Sequence, residues 1–155
     1  MVVIAIIGFL ASALFATLSD TRLDARDKRR IADAQQIQKA LELYVTEHGE
    51  YPKESEGANG DLSTNTTMLA RLEPYLQGVP IDPAGLGNGT FFYYYDGAHT
   101  CGSKSYAVII VRQMDKPEYA NYNTFLTDIC GGTLDGEGRG GGEESYNIIV
   151  GNSSG

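Results

Sequence analysis

The first eighteen residues, Met1 to Leu18, read MVVIAIIGFLASALFATL and contain no charged side chain. As an α-helix, this stretch would be about 27 Å long, close to the roughly 30 Å hydrocarbon thickness of a bilayer. Apolar side chains would surround the helix axis, so no face would suit water. A cleaved signal peptide, a plain membrane anchor and a helix that moves from lipid into a protein assembly remain open.

The helix is predicted to continue well past Leu18, because Ser19 to Glu47 contain neither proline nor glycine. Its second half carries apolar residues at steps of three and four, the pattern of a helix packed on a domain. These residues are Ile31, Ala34, Ile37, Leu41 and Tyr44. Gly49 is a natural stop signal just past the helix. The apolar first half of so long a helix must protrude from the domain.

The rest of the chain predicts a short helix followed by strands. Residues 53–67 are polar and rich in Gly and Asn, which indicates a loop. Thr66 or Thr67 is expected to cap the short helix, which Pro74 interrupts. The predicted strands, rich in aromatic and β-branched residues, are Thr90–Tyr95, Ser105–Arg112, Asn123–Ile129 and Tyr146–Val150. The fold class is therefore α+β: a long protruding N-terminal helix, packed by its C-terminal half on an antiparallel sheet of three or four strands.

Charge divides the chain into two parts. Residues 1–18 are predicted to be a transmembrane or filament-core segment, and residues 19–155 form a globular head that carries the whole net charge of −8. A field of that sign repels phosphate backbones and excludes nucleic-acid binding driven by bulk charge. No Ser–His–Asp arrangement or carboxylate pair stands out, so neither catalysis nor a cofactor is expected.

Six short motifs resemble those of type IV pilins and of the major pseudopilins of type II secretion. In the helix they are VVIAIIG at 2–8, ARDKRRIAD at 25–33 and QIQKALELY at 36–44; beyond it they are GEYP at 49–52, YLQGVPIDP at 75–83 and FYYY at 92–95. The resemblance is strong over residues 1–52, fair to about residue 113 and absent in the tail. The Phe-Thr-Leu-Ile-Glu-Leu-type start of the family has no counterpart in this sequence.

The resemblance implies a structural subunit of an extracellular type IV pilus-like filament, built by helical packing of the apolar N-terminal helices. It implies insertion in the inner membrane before assembly, a cell-surface location afterwards, and partners that are identical subunits and the pilus assembly machinery. One alternative is a major pseudopilin of a type II secretion system. The other is a monomeric, membrane-anchored, exported binding domain.

Two sets of residues are expected to join the subunits. The apolar set, in the filament core, is Val3, Ile4, Ile6, Ile7, Leu10, Leu14, Phe15 and Leu18. The charged set, making contacts between subunits at the edge of that core, is Arg22, Asp24, Arg26, Asp27, Arg29 and Arg30.

Two further features bear on the choice within the family. In an exported domain Cys101 and Cys130 favour a disulfide over free thiols or a metal site, and such a C-terminal loop is commoner in pilins. Residues 135–140 resemble the opening of a calcium loop, but Arg139 and Tyr146 stand where an EF-hand needs oxygen ligands. Because major pseudopilins bind calcium in a C-terminal loop, a different site that uses Asp128 or Asp135 stays open.

Overall fold

A computed structural model describes residues 2–53, 57, 60–85, 93–101, 104–121 and 145–151. Within these ranges, side chains are not described for residues 10–17, 97–101 and 104–106.

The long helix, α1, spans Val2–His48 without interruption. It ends where the sequence predicts, because Gly49 adopts a positive φ of 81° and its N–H donates to the Val45 carbonyl at 2.7 Å. Only glycine adopts this left-handed conformation without steric penalty. His48, in the last turn, lies with Nδ1 at 3.0 Å from the Tyr44 carbonyl, and its ring stacks on that of Tyr44 at 4.0 Å.

The described strands form one antiparallel sheet in the order β1-β2-β3-β4. They are β1 (Gly60–Asp61), β2 (Tyr93–Cys101), β3 (Lys104–Val111) and β4 (Tyr146–Gly151). In register, Tyr95 of β2 pairs with Ile109 of β3, which pairs in turn with Ile148 of β4. The predicted α+β architecture is confirmed, since the second half of α1 contacts β3 and β4.

The core lies between α1 and one face of the sheet. Ala34, Ile37 and Leu41 of α1 are fully buried in the same cluster as Tyr95 and Ile109. The hydroxyl of Tyr95 donates to the Pro52 carbonyl at 2.9 Å, which satisfies its buried polar end. The predicted amphipathic stripe of α1 is confirmed.

Two local predictions are wrong. The loop predicted over residues 53–67 contains the short edge strand β1, whose Asp61 pairs with Tyr94. The short helix α2 (Thr66–Leu72) is capped not by a threonine but by Asn65, whose Oδ1 accepts the Met68 N–H at 3.0 Å. The threonine positions already have helical backbone, whereas Asn65 has the extended φ and ψ that a capping residue needs.

Several predictions concern residues outside the described ranges. They are the strand at 123–129, the start of the strand at 90–95, Asp128 and Asp135, the side chains of Leu10, Leu14 and Phe15, and both cysteine side chains. The predicted calcium site and the predicted disulfide therefore stay predictions.

Candidate assembly surface

Residues 2–9, at the start of α1, are apolar and exposed. Among the described side chains of residues 2–9, the large apolar ones are between 55% and 76% exposed, namely Val2, Val3, Ile4, Ile6, Ile7 and Phe9. Leu18 is half exposed as well. A contiguous exposed apolar surface of this kind marks a site of contact with protein or lipid. We call these seven residues the apolar front.

A helix that crosses a bilayer needs about 20 consecutive, predominantly apolar residues. Among the described side chains, which leave out residues 10–17 of α1, no helix is long and apolar enough to cross a membrane.

Below the apolar front, α1 is joined to the head by a buried ion cluster centred on Arg30. The guanidinium of Arg30 holds Asp82 with two hydrogen bonds, Nε to Oδ2 at 2.8 Å and Nη2 to Oδ1 at 3.2 Å. Its Nη1 donates to Asp27 at 2.7 Å and to Asp115 at 2.8 Å. Arg30 and Asp27 are fully buried. One cation thus ties α1 to the connector before β2 and to the segment after β3.

The other groups of the cluster are also paired. Asp27 accepts the backbone N–H groups of Asp115 at 2.9 Å and Lys116 at 2.8 Å. Arg26 donates to Asp115 at 2.8 Å. Burial by itself lowers the pKa of Arg30, but its hydrogen bonds to Asp82 and the charge of that carboxylate outweigh burial and raise the pKa. Arg30 therefore stays charged, and the cluster has the full pairing that a buried charge needs.

A second, exposed group of ion pairs lies closer to the apolar front. Asp24 is bound by Lys28 at 2.8 Å and accepts a hydrogen bond from the Tyr119 hydroxyl. These two hydrogen bonds lower the pKa of Asp24. Lys116 of the head lies 3.1 Å from Asp20 of α1. These contacts fix the head against the part of α1 that leaves it.

The structure separates the six charged residues that sequence analysis assigned to subunit contacts. Arg22 and Arg29 are exposed, whereas Asp24 and Arg26 are partly buried in contacts with the head. Asp27 and Arg30 have no exposed surface, and their charges are used within the chain. Subunit contacts stay a prediction for Arg22, Asp24, Arg26 and Arg29, while Asp27 and Arg30 hold the subunit itself together.

Sequence analysis missed the partners that the head supplies to this cluster. Asp82 belongs to the connector Val79–Pro83, which was quoted only as part of a family motif, and Asp115 was not singled out. Tyr93 was predicted only as part of a strand, and its hydroxyl donates to Asp33 at 2.7 Å. The available signal was an acidic residue between two prolines, where a fixed backbone can hold one carboxylate in place.

Within the described ranges, no group of three or more His, Cys, Asp or Glu side chains is arranged to hold a metal ion. The carboxylates around Arg30 instead surround a protein cation. The described site is therefore suited to holding three parts of the chain together and to presenting the apolar front.

Comparison with known proteins finds that the chain is similar to a protein of a bacterial secretion system. The family model for the type II secretion system (T2SS), protein G matches residues 18–110 of the chain. The type II secretion system core protein G of Escherichia coli (strain K12) is 30% identical over 89 residues, which make up 55% of this chain and 61% of that protein. The chain thus spans less than two thirds of that relative. No solved structure matches the chain significantly. Since the family model covers more than half of the 155 residues, the chain belongs to the type II secretion system protein G family.

Proposed function

We propose that this chain is the structural subunit of a type II secretion pseudopilus, a filament of identical copies whose apolar helices pack together. The family match favours this function, which sequence analysis kept as its alternative, over the type IV pilus that it put first. The observation that carries the proposal is the apolar front, whose large apolar side chains are half or more exposed.

The driving force is the removal of the apolar front from water. Apolar burial contributes about 25 cal/mol per Å², less whatever contact lipid already provides. Before assembly, residues 1–18 lie in the inner membrane; afterwards the same side chains contact the helices of neighbouring copies. The secretion machinery would supply the energy for extraction and set the position of each new copy.

Electron microscopy of the assembly isolated from the producing cell tests this proposal. We expect helical filaments with a central core of α-helices. Ile7→Asn should abolish them, because it places a polar amide in that core. Ile81→Asn is the matched control, since Ile81 is 50% exposed and Ile7 is 61% exposed, but Ile81 lies on the head.

Two other outcomes would replace the proposal. A full-length chain that stays monomeric after removal of detergent would favour the membrane-anchored exported domain. Long filaments on the cell surface, together with normal protein secretion in the deletion strain, would return the assignment to a type IV pilus.

A further inference from the structure

The face of α1 opposite the sheet carries a regular exposed stripe. Its residues follow one another at alternating steps of four and three and are all exposed: Leu18, Arg22, Ala25, Arg29, Ala32, Gln36, Lys39 and Leu43. We call it the basic stripe. Alternating steps of four and three are the spacing with which one helix contacts a second element along its length. The alanines leave room for close approach.

The charges of the basic stripe have one sign. It holds Arg22, Arg29 and Lys39 and no acidic residue, in a chain whose net charge is −8. Arg22 and Lys39 form no ion pair with any described side chain, and Arg29 lies 3.8 Å from Asp33. Two such stripes face to face would repel each other, because like charges would stand opposite with no acid between them.

The described head offers an acidic surface at its far end. Glu47 and Glu50 stand at the end of α1, and Glu73 stands at the end of α2, which contacts α1. All three residues are exposed. Glu50 is paired with Lys53 at 2.6 Å, and the Tyr75 hydroxyl donates to Glu47. We call these three residues the acidic end.

We propose that in the filament the basic stripe of one copy docks on the acidic end of the next, and this inference rests on the proposed function. Leu18 belongs to both the apolar front and the basic stripe. Neighbouring copies that cover the apolar front in the filament therefore also lie close to the basic stripe. Lys39 and Arg22, the two stripe cations that form no ion pair with a described side chain, lie about 12 Å and about 38 Å from Glu47 along α1 at 1.5 Å per residue. Parallel copies shifted along the filament by either distance bring one of these cations level with the acidic end of a neighbour.

Charge reversal in the full-length chain tests this docking, with filament yield measured by electron microscopy and sedimentation. We expect Arg22→Glu/Lys39→Glu to lower the yield at least tenfold, and Glu47→Lys/Glu73→Lys to do the same. The variant that carries all four changes should recover most of the yield, because the attraction returns with its signs exchanged. Salt at about 1 M, where the Debye length is about 3 Å, should weaken the wild-type filament.

Controls separate this docking from changes in folding and net charge. A head variant in which four neutral residues become glutamate, Thr66→Glu/Ala70→Glu/Gln77→Glu/Ile81→Glu, alters the net charge as much as the stripe variant does, at exposed residues off the stripe; it should assemble normally. The stripe variant should keep the wild-type circular dichroism spectrum, and Arg22→Gln/Lys39→Gln should give an intermediate yield.

Each other outcome overturns a defined part of the inference. A stripe variant that assembles like the wild type overturns it outright, and so does equal loss in the off-stripe control. If the variant that carries all four changes does not recover the filament yield, the acidic end is not the partner of the basic stripe. If the wild type forms filaments and Ile7→Asn does not, the proposed function stands whatever the stripe variants do. If the wild type forms none, both fall.

Discussion

At the scale of single residues, Arg30 shows how a buried charge specifies the arrangement of a subunit. Its fork holds Asp82 while its remaining nitrogen reaches Asp27 and Asp115. Each carboxylate comes from a different part of the chain, so the cluster forms only when all three parts are correctly placed. The conformational entropy of ordering these groups is offset by charge-assisted hydrogen bonds in a dry setting.

Arg30→Met should strongly destabilise the head, because it leaves buried carboxylates without a cation. We expect a loss of about 3–5 kcal/mol in the free energy of unfolding, measured by urea unfolding followed by circular dichroism. Lys28→Met removes the exposed pair with Asp24 instead and should cost much less, because solvent screens that pair. Equal losses in the two variants would contradict the role assigned to Arg30.

Tyr93 makes the head sensitive to alkaline pH. Burial, followed by the hydrogen bond to Asp33, raises the pKa of Tyr93, and burial likewise raises the pKa of Tyr95. The neutral phenols are favoured in the folded state, so their contribution to stability is complete below about pH 10, the ordinary pKa of tyrosine. It is lost as the pH rises further, because the unfolded chain ionises first.

Absorbance at 295 nm should therefore rise in two stages as the pH is raised. The second stage belongs to Tyr93 and Tyr95, which ionise only as circular dichroism reports unfolding. Tyr93→Phe should reduce the amplitude of the second stage. A single stage near pH 10, with the fold intact, would contradict the assignment.

At the scale of elements, the spacing of apolar residues along the sequence accounts for most of what could be predicted about α1. The length of α1, its end at Gly49 and its buried stripe follow from side-chain spacing and one glycine, which are local signals. The ion cluster could not be predicted, because Arg30 binds Asp82 across 52 residues and Asp115 across 85 residues of sequence. Strand β1 was missed for a similar reason: two residues, Gly60 and Asp61, become a strand only through pairing with β2.

Asn65 gives a test of the corrected helix start. Asn65→Ala removes the acceptor for the Met68 N–H and should destabilise the chain by about 1 kcal/mol in thermal or urea unfolding. Asn65→Asp keeps that acceptor but loses the hydrogen bond from Nδ2 to the Gly57 carbonyl, 3.0 Å away, so its loss should be smaller. Thr66→Ala should be nearly neutral; a loss as large as that of Asn65→Ala would restore the threonine cap.

At the scale of the whole molecule, the chain combines a self-sufficient head with an apolar front that the described head does not cover. The head carries its own core, its own ion cluster and the described sheet, so we expect it to fold without a partner. The apolar front does need one. This division was predictable from sequence, because hydropathy and charge change together at Leu18.

The cysteine pair is the remaining whole-molecule prediction. In an exported head we expect Cys101 to be linked to Cys130. This bond closes the loop between the two cysteines and stabilises the fold by about 3–4 kcal/mol in the chain-entropy model. Mass spectrometry of the intact chain without reductant should find a mass lower by two hydrogens, and peptide mapping should find the two cysteines joined. Two free thiols would contradict both the bridge and export.

The continuity of α1 has a mechanical consequence. From Phe9 to His48 the helix holds no proline or glycine, and its buried ion cluster clamps it to the head. A force or torque applied at one end of α1 is therefore transmitted to the other end, because no hinge interrupts the helix. In the proposed filament each copy therefore contributes a stiff helix. Adding copies at the base of such a filament would move the whole filament forward.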